Sequence, residues 1–440
     1  MNANAISNLL LHWQKKWLWL TALLPLLFIS DIFYGAMGYY GIKFSITPGV
    51  ILRGIVVLVA INMVIRYHHL VGDRLRLWIG LLALFVVPSI FVSVFHEQNL
   101  FIDISAISKV LYLPLVTGLF VVLMRRYCLN QVDVLRFIEY AAYVLGAVLL
   151  GSQMLGVEKQ TYGDYAFGST GIFYAQNDIT LAFGLALLAG GYRLVMDKFS
   201  PIRFALLALS AFACVQIGTR ASLFVVLGTA LTVVVCALWG RERGKGRRVI
   251  ENIKKRVIVL LVLVVMIGVL LYGLDKQQEF GYQQQKLEEI ASGNLPRLPL
   301  LLAGAQHISD RPFLYDLVGE GFDAFRQGVA KHIETEGQRR LVEVDWMDIF
   351  GCYGIGFALL IHVFVLNVLW GSFRRFIFQR KSVYGFIAAA TLLYLGHSAF
   401  AGHALFSPIP GTLMAAYFAC YFVGYRLLII SLIKKEINEQ

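Results

Sequence analysis

Three carboxylates fall within six residues, Glu343, Asp345 and Asp348, where a long polar segment gives way to an apolar one. A carboxylate at such a boundary suits the work of a general base, taking the proton of an attacking hydroxyl. Asp345 also stands where a helix N-cap belongs, and Asp348, three residues on, favours the dipole of the same first turn. Arginine supplies the complementary chemistry, because its planar, permanently charged fork matches phosphate oxygens. Arg220 lies in the tight turn Ile217-Gly218-Thr219-Arg220-Ala221-Ser222, either as an anion ligand or as the cap of a helical hairpin meeting lipid headgroups. Arg297, His307, Arg311 and Glu320 decorate the polar segment. His403, between Gly402 and Ala404, is placed to line a cavity, although a lone histidine at a membrane edge is usually structural.

Two further stretches carry polar groups on the same side. The run Phe167 to Asp178 holds Gly168 and Gly171, which suit a backbone that approaches a ligand closely. Asn177 within it serves a ligand or, more simply, caps the next helix. Arg53 and Lys109 are cations within apolar stretches, which costs roughly 2.5–3.5 kcal/mol each on insertion scales. They face a cavity, or they snorkel to the outer headgroups.

The elements that position these groups follow from composition. With 58% hydrophobic and 15% charged residues and a mean hydropathy of +0.69, the 440-residue chain is an all-α polytopic membrane protein. A helix needs about 20 apolar residues to cross the hydrocarbon core. Twelve stretches qualify: 17–36, 48–65, 77–95, 105–124, 135–155, 178–196, 202–218, 221–239, 257–274, 346–370, 383–400 and 411–430. The chain thus divides into helices 1–9 over 1–274, a large loop over 275–345, and helices 10–12 over 346–440. The loop holds 12 of the 27 acids and 8 of the 39 bases. Within it, Leu298–Ile308 and Phe322–Ile333 read as short helices that should pack onto the membrane domain as a lid.

Charge sets the orientation. The N-terminus and alternate connections hold 26 Lys and Arg against 8 acids, and the other face holds 13 against 19. The positive-inside rule places both termini in the cytoplasm and the large loop outside. The net charge of +12 is thereby explained without nucleic acid, by topology and by attraction to anionic membrane lipids. No cleavable signal peptide is evident ahead of the first span. The five cysteines are scattered in or beside spans, with no disulfide framework and no metal-ligand spacing. A transporter of similar span number would be expected to show internal repeats and polar sites at the midplane, and neither is visible.

The segment Gly171 to Asn177, the Gly218-Thr219-Arg220 turn, Arg311-Pro312 with Gly319-Glu320-Gly321 and Phe325, and the re-entry segment ending Tyr353-Gly354-Ile355-Gly356 form a set. In order and shared side, over about residues 165 to 410, they resemble the bacterial family of O-antigen polymerases and O-antigen ligases. That resemblance implies a GT-C-like fold in the bacterial inner membrane, with the large loop and active site in the periplasm. It implies glycosyl transfer from an oligosaccharide on undecaprenyl pyrophosphate, without a metal or other cofactor, and a chain-length regulator as one partner to look for. Carried onto this sequence, it sets Arg220 at the pyrophosphate, with Arg297 and Arg311 near the same anion. The ligase pattern has a His-Asn pair before the re-entrant span, where this chain has Glu343-Val344. With Ala401-Gly402-His403, that departure resembles the polymerase branch, and the ligase is the alternative. The expected roles are then a proton acceptor at Glu343 or Asp345 and an orienting or proton-sharing His403. Asn177, Asp348, Glu320 and Lys109 are further candidates for contact with substrate.

Overall fold

A computed structural model describes residues 28–42, 47–95, 99–162, 167–173, 175–197, 199–239, most of 257–272, 298–333 and 341–439. Residues 28–39 are helical. There follow α1 (Pro48–Arg66), α2 (His68–Val71), α3 (Asp73–Phe95), α4 (Leu100–Val110), α5 (Tyr112–Arg126) and α6 (Gln131–Met154). A small antiparallel hairpin, β1 (Gln160–Tyr162) with β2 (Phe167–Ser169), precedes α7 (Gln176–Met196), α8 (Pro201–Gln216) and α9 (Arg220–Trp239). The loop contributes α10 (Leu298–Asp310), α11 (Phe313–Val318) and α12 (Phe322–Lys331). The chain closes with α13 (Asp345–Gln379), α14 (Ser382–Phe400) and α15 (Pro408–Glu439). Parts of the expected spans 17–36 and 257–274, the basic segment 241–256, loop residues 275–297 and 334–340, and with them Arg297, lie outside the described residues.

Seven of the described helices are long and apolar enough to cross a bilayer, or eight if α4 and α5 form one span. The chain is therefore an all-α polytopic membrane protein. The stretch expected as one span over 105–124 is instead a pair of helices bent by 50° at Leu111. Pro114 explains the break, since it has no N–H to donate to the carbonyl of Val110. Lys109 consequently sits in a short separate helix, whose start Asn99 caps by accepting from Ile102 N.

The core is built round α7, whose apolar window is 94% buried, against 22% for α1 and α3. Its small residues allow that centrality. At Gly184, Gly190 and Gly191 an added Cβ would run into Leu393, Leu207 and Val233 of neighbouring helices. Close approach of this kind drives helix packing in lipid, where burial of apolar surface gives little advantage. At the end of the bundle away from the loop, buried Glu139 of α6 is paired with Arg193 of α7 and approached by Arg203 of α8 at 3.5 Å.

The loop meets the membrane domain at a broken helix. Within α13, Gly354 has φ +76° and ψ 171°, which interrupts the helical ladder. The interruption releases carbonyls that must find donors in a water-poor setting. The loop supplies them: Gly351 O accepts from Arg311 Nη1 at 2.9 Å, and Cys352 O from Gly321 N at 3.1 Å. The turn Gly319-Glu320-Gly321 and the kink at Gly354 therefore form one joint. At Gly354 an added Cβ would strike the carbonyl of Leu317, so only glycine fits the conformation and the contact. Gly354→Ala should cost at least about 1–3 kcal/mol from backbone strain alone, seen as a lower thermal midpoint in detergent. An unchanged midpoint would show that the joint adjusts without cost.

Candidate active site

The loop helix α12 is held at its N-terminus by a side chain from another element. Asp103 of α4, buried, accepts through Oδ1 from Phe322 N at 2.7 Å and Asp323 N at 2.9 Å. A carboxylate at a helix N-terminus satisfies orphan donors and the dipole together. That docking lays Phe322 against Phe406, with Lys109 Nζ 5.7 Å and the Arg326 guanidinium 5.3 Å from its ring centre. Lys109 is thus drawn inward, into the charge field of Arg53, Arg326 and Asp178.

The three acids of the re-entry segment have separate tasks. Asp345 is buried, and its Oδ2 accepts from Leu405 N at 3.0 Å and Ser398 Oγ at 2.8 Å. It therefore ties α13 to α14 and the turn before α15, and is not the N-cap its position suggests; Val344 occupies that place. The backbone of His403 also faces the Asp345 carboxylate. Asp348 is also buried and accepts from Val342 N at 2.9 Å, fastening the end of the loop. Glu343 is partly exposed, with φ +65°, and its carbonyl lies where a Cβ at Gly402 would collide with it. Next to that glycine, His403 has φ +63°. Two non-glycine residues in left-handed backbone, side by side, are a form of local strain that clusters at functional sites.

A fourth carboxylate joins them. Asp178 of α7 accepts from Ser407 Oγ at 2.6 Å and interacts electrostatically with His403, Arg53 and Asp345. Asn177 beside it lies inside the helix and not at its cap, which is Ala175. Its Nδ2 donates to Ala401 O at 3.4 Å, tying α7 to the turn that carries His403.

Opposite these acids stands Arg53 of α1, only 7% exposed. Its Nε and Nη1 have no hydrogen-bond partner among the described residues, while Asp178 and the Tyr112 phenol lie in its field. Tyr112 is itself held by Thr412 Oγ1 at 2.8 Å. A buried guanidinium with vacant donors is expensive, so its retention points to an anion that arrives from outside.

Of the arginines expected at that anion, Arg311 is engaged within the protein. Its Nε and Nη2 bond Asp316 Oδ1 at 3.1 and 3.0 Å, and its Nη1 reaches Glu320 at 3.2 Å as well as Gly351 O. Glu320 in turn holds His307 Nε2 at 2.8 Å. Losing one partner of a buried ion pair costs about 3–5 kcal/mol, so Arg311→Gln should loosen the loop and speed its cleavage by added protease. Arg220 is exposed at the start of α9, after Thr219 has capped that helix by accepting from Ser222 N at 3.0 Å. Among the described residues, Arg220 pairs with none of the acids above.

The structure thus brings Glu343, Asp345, His403, Asn177 and Lys109 together, and adds Asp178, Arg53, Arg326 and Tyr112. The cations inside spans were a legible signal for Arg53. Asp178 and Arg326 gave none, since an acid at a helix start and a base on a loop helix are ordinary. The described architecture is that of a multi-pass membrane protein with a buried polar cluster under a docked loop. The chain belongs to the family described as O-antigen ligase like membrane protein, whose model matches residues 12–292, more than half of its length. The match takes in the first spans, Gly171 to Asn177 and the Arg220 turn, and ends before Arg311 and the re-entry segment. No curated protein gives a significant match. Membership carries a glycosyl-transfer activity at the membrane, concerned with polysaccharide, and lipid-linked sugar and membrane lipid as the general partners.

Proposed function

We propose that this chain is a polysaccharide polymerase of the O-antigen type, a twelve-span, GT-C-like enzyme of the bacterial inner membrane. It moves a glycan from undecaprenyl pyrophosphate to the terminal hydroxyl of another lipid-linked repeat unit, on the periplasmic face, with both termini in the cytoplasm. The observation that carries this reading is the buried guanidinium of Arg53, whose Nε and Nη1 have no hydrogen-bond partner among the described residues, in the same charge field as Asp178, Asp345 and His403. It supplies an anion seat on one side and proton acceptors on the other.

In this reading Arg53 and Lys109, with Arg326 brought in on α12, hold the donor pyrophosphate. The acceptor oxygen attacks the anomeric carbon, and the bond from that carbon to the phosphate oxygen breaks. The electron pair goes to the departing pyrophosphate, where fixed cations in a water-poor site stabilise it. Asp345 or Glu343 takes the hydroxyl proton, with His403 orienting the acceptor. Direct displacement inverts the anomeric centre, which linkage analysis of the product checks. Arg220, at the outer end of α9, meets the anion at the mouth of the site, and Arg311 acts through the loop joint.

A second reading is favoured by the family match itself, whose description names the ligase: transfer of a finished glycan to lipid A-core. Purified protein incubated with lipid-linked repeat units tests both. A length ladder supports polymerisation, transfer to lipid A-core without a ladder supports ligation, and neither product overturns the enzyme reading in favour of transport.

A further inference from the structure

At the end of the bundle away from the loop, a second basic site stands apart from the cluster above. A cavity of about 270 Å³ lies between the α2–α3 turn, the end of α5, and the facing parts of α13 and α15. His69, Arg74, Arg125 and Arg375 line it. Among the described residues, the single carboxylate in the lining, Asp73, pairs with Arg76. The cavity therefore carries a positive excess in a space that would hold several waters, at about 30 Å³ each.

Two of its arginines, Arg375 and Arg125, are set in place, not trailing from the surface. Arg375 lies 4.3 Å from the ring centre of Tyr421 and 5.1 Å from that of Tyr384, and its Nη1 donates to Tyr421 O at 3.1 Å. Arg125 donates to the carbonyl of Leu70 and rests against Gly72, where a Cβ would stand 3.2 Å from its Nη1. Guanidinium planes fixed in this way match the oxygens of a phosphate diester.

The surroundings decide what bears that phosphate. Arg375 of the lining follows the break at Gly354 by 21 positions on α13. At about 1.5 Å per residue that spans roughly the 30 Å hydrocarbon core and reaches the opposite interface. Beside Asn367 of the same lining, Leu366 and Trp370 are exposed on α13, Trp370 stacks on Phe373, and Leu77 is exposed on α3. The basic cavity thus adjoins apolar side chains that face lipid. We infer that it is a binding site for the headgroup phosphate of an anionic phospholipid in the leaflet opposite the loop, its acyl chains lying along α3 and α13. Basic pockets between spans on that face are suited to such headgroups.

The test reads binding, so it stands apart from the glycosyl-transfer reading. The full chain in detergent is titrated with phosphatidylglycerol, with phosphatidylcholine and with inorganic phosphate while its thermal midpoint is followed. Phosphatidylglycerol should raise the midpoint and phosphatidylcholine should not. Arg74, being exposed, can be replaced without loss of fold; Arg74→Gln should weaken the apparent affinity for phosphatidylglycerol about fivefold, as expected for one cation near the surface. Arg74→Lys should retain most of it. An unaltered response in Arg74→Gln and in Arg74→Gln/Arg375→Gln places the lipid elsewhere and overturns the site. Equal stabilisation by phosphatidylcholine, or a full response to inorganic phosphate alone, overturns the assignment to an anionic lipid.

Discussion

Replacing Arg53 by methionine should lower transfer of the lipid-linked glycan by about two to three orders of magnitude while leaving the protein as stable as before, or more so. The two halves of that expectation have one cause. Removing a fixed donor aimed at developing negative charge typically costs about 10²–10³ in rate. The same guanidinium, 7% exposed and with Nε and Nη1 unpartnered among the described residues, is a burden on the empty fold. Apolar replacement of buried charge is often neutral or stabilising by about 1–4 kcal/mol. Asp178 keeps its hydrogen bond from Ser407 and the nearby His403 when Arg53 is gone, so it is not stranded. Melting and ladder formation measured on the same preparation decide the matter. A variant that melts several kcal/mol earlier would make Arg53 a structural partner of Asp178, and the anion seat would have to be sought at Lys109 and Arg220.

That expectation rests on something only half visible in the chain. Hydropathy shows that Arg53 lies in a span, because a charged residue stands out against an apolar run. Whether it snorkels or points inward depends on α4, α7 and the loop helix α12, which are distant in sequence. Seven of the expected spans were legible for the same local reason, and where a single span was expected at 105–124 the proline that breaks it was present in the sequence. The joint between Gly319-Glu320-Gly321 and Gly354 was not legible, since each half reads as an ordinary turn or a helical glycine until their backbones meet. The re-entry acids show the limit most clearly. Glu343, Asp345 and Asp348 look alike as a cluster, yet each faces a different neighbour. What separates them is long-range: Leu405 and Ser398 for Asp345, Val342 for Asp348, and Gly402 for Glu343. Periodicity and spacing carry no such information.

Those differences make the choice of base testable with paired substitutions. Asp345→Asn keeps an oxygen that can accept from Leu405 N and Ser398 Oγ, so the tie between α13, α14 and the following turn should hold and the thermal midpoint should change little. It removes the charge, however, that faces His403 and Asp178. If Asp345 accepts the proton, transfer should fall by about 10²–10⁴, the usual contribution of a positioned base. Asp345→Ala should add a loss of about 1–3 kcal/mol in stability, because it leaves the buried N–H of Leu405 without an acceptor. Glu343→Gln separates the alternatives. Its strained backbone is unaffected by the side-chain change, so any large loss of rate reports the carboxylate itself. Full activity in Asp345→Asn together with a collapse in Glu343→Gln would make Asp345 a structural tie and Glu343 the base. The converse would assign the proton to the buried acid, whose charge faces His403 and Asp178.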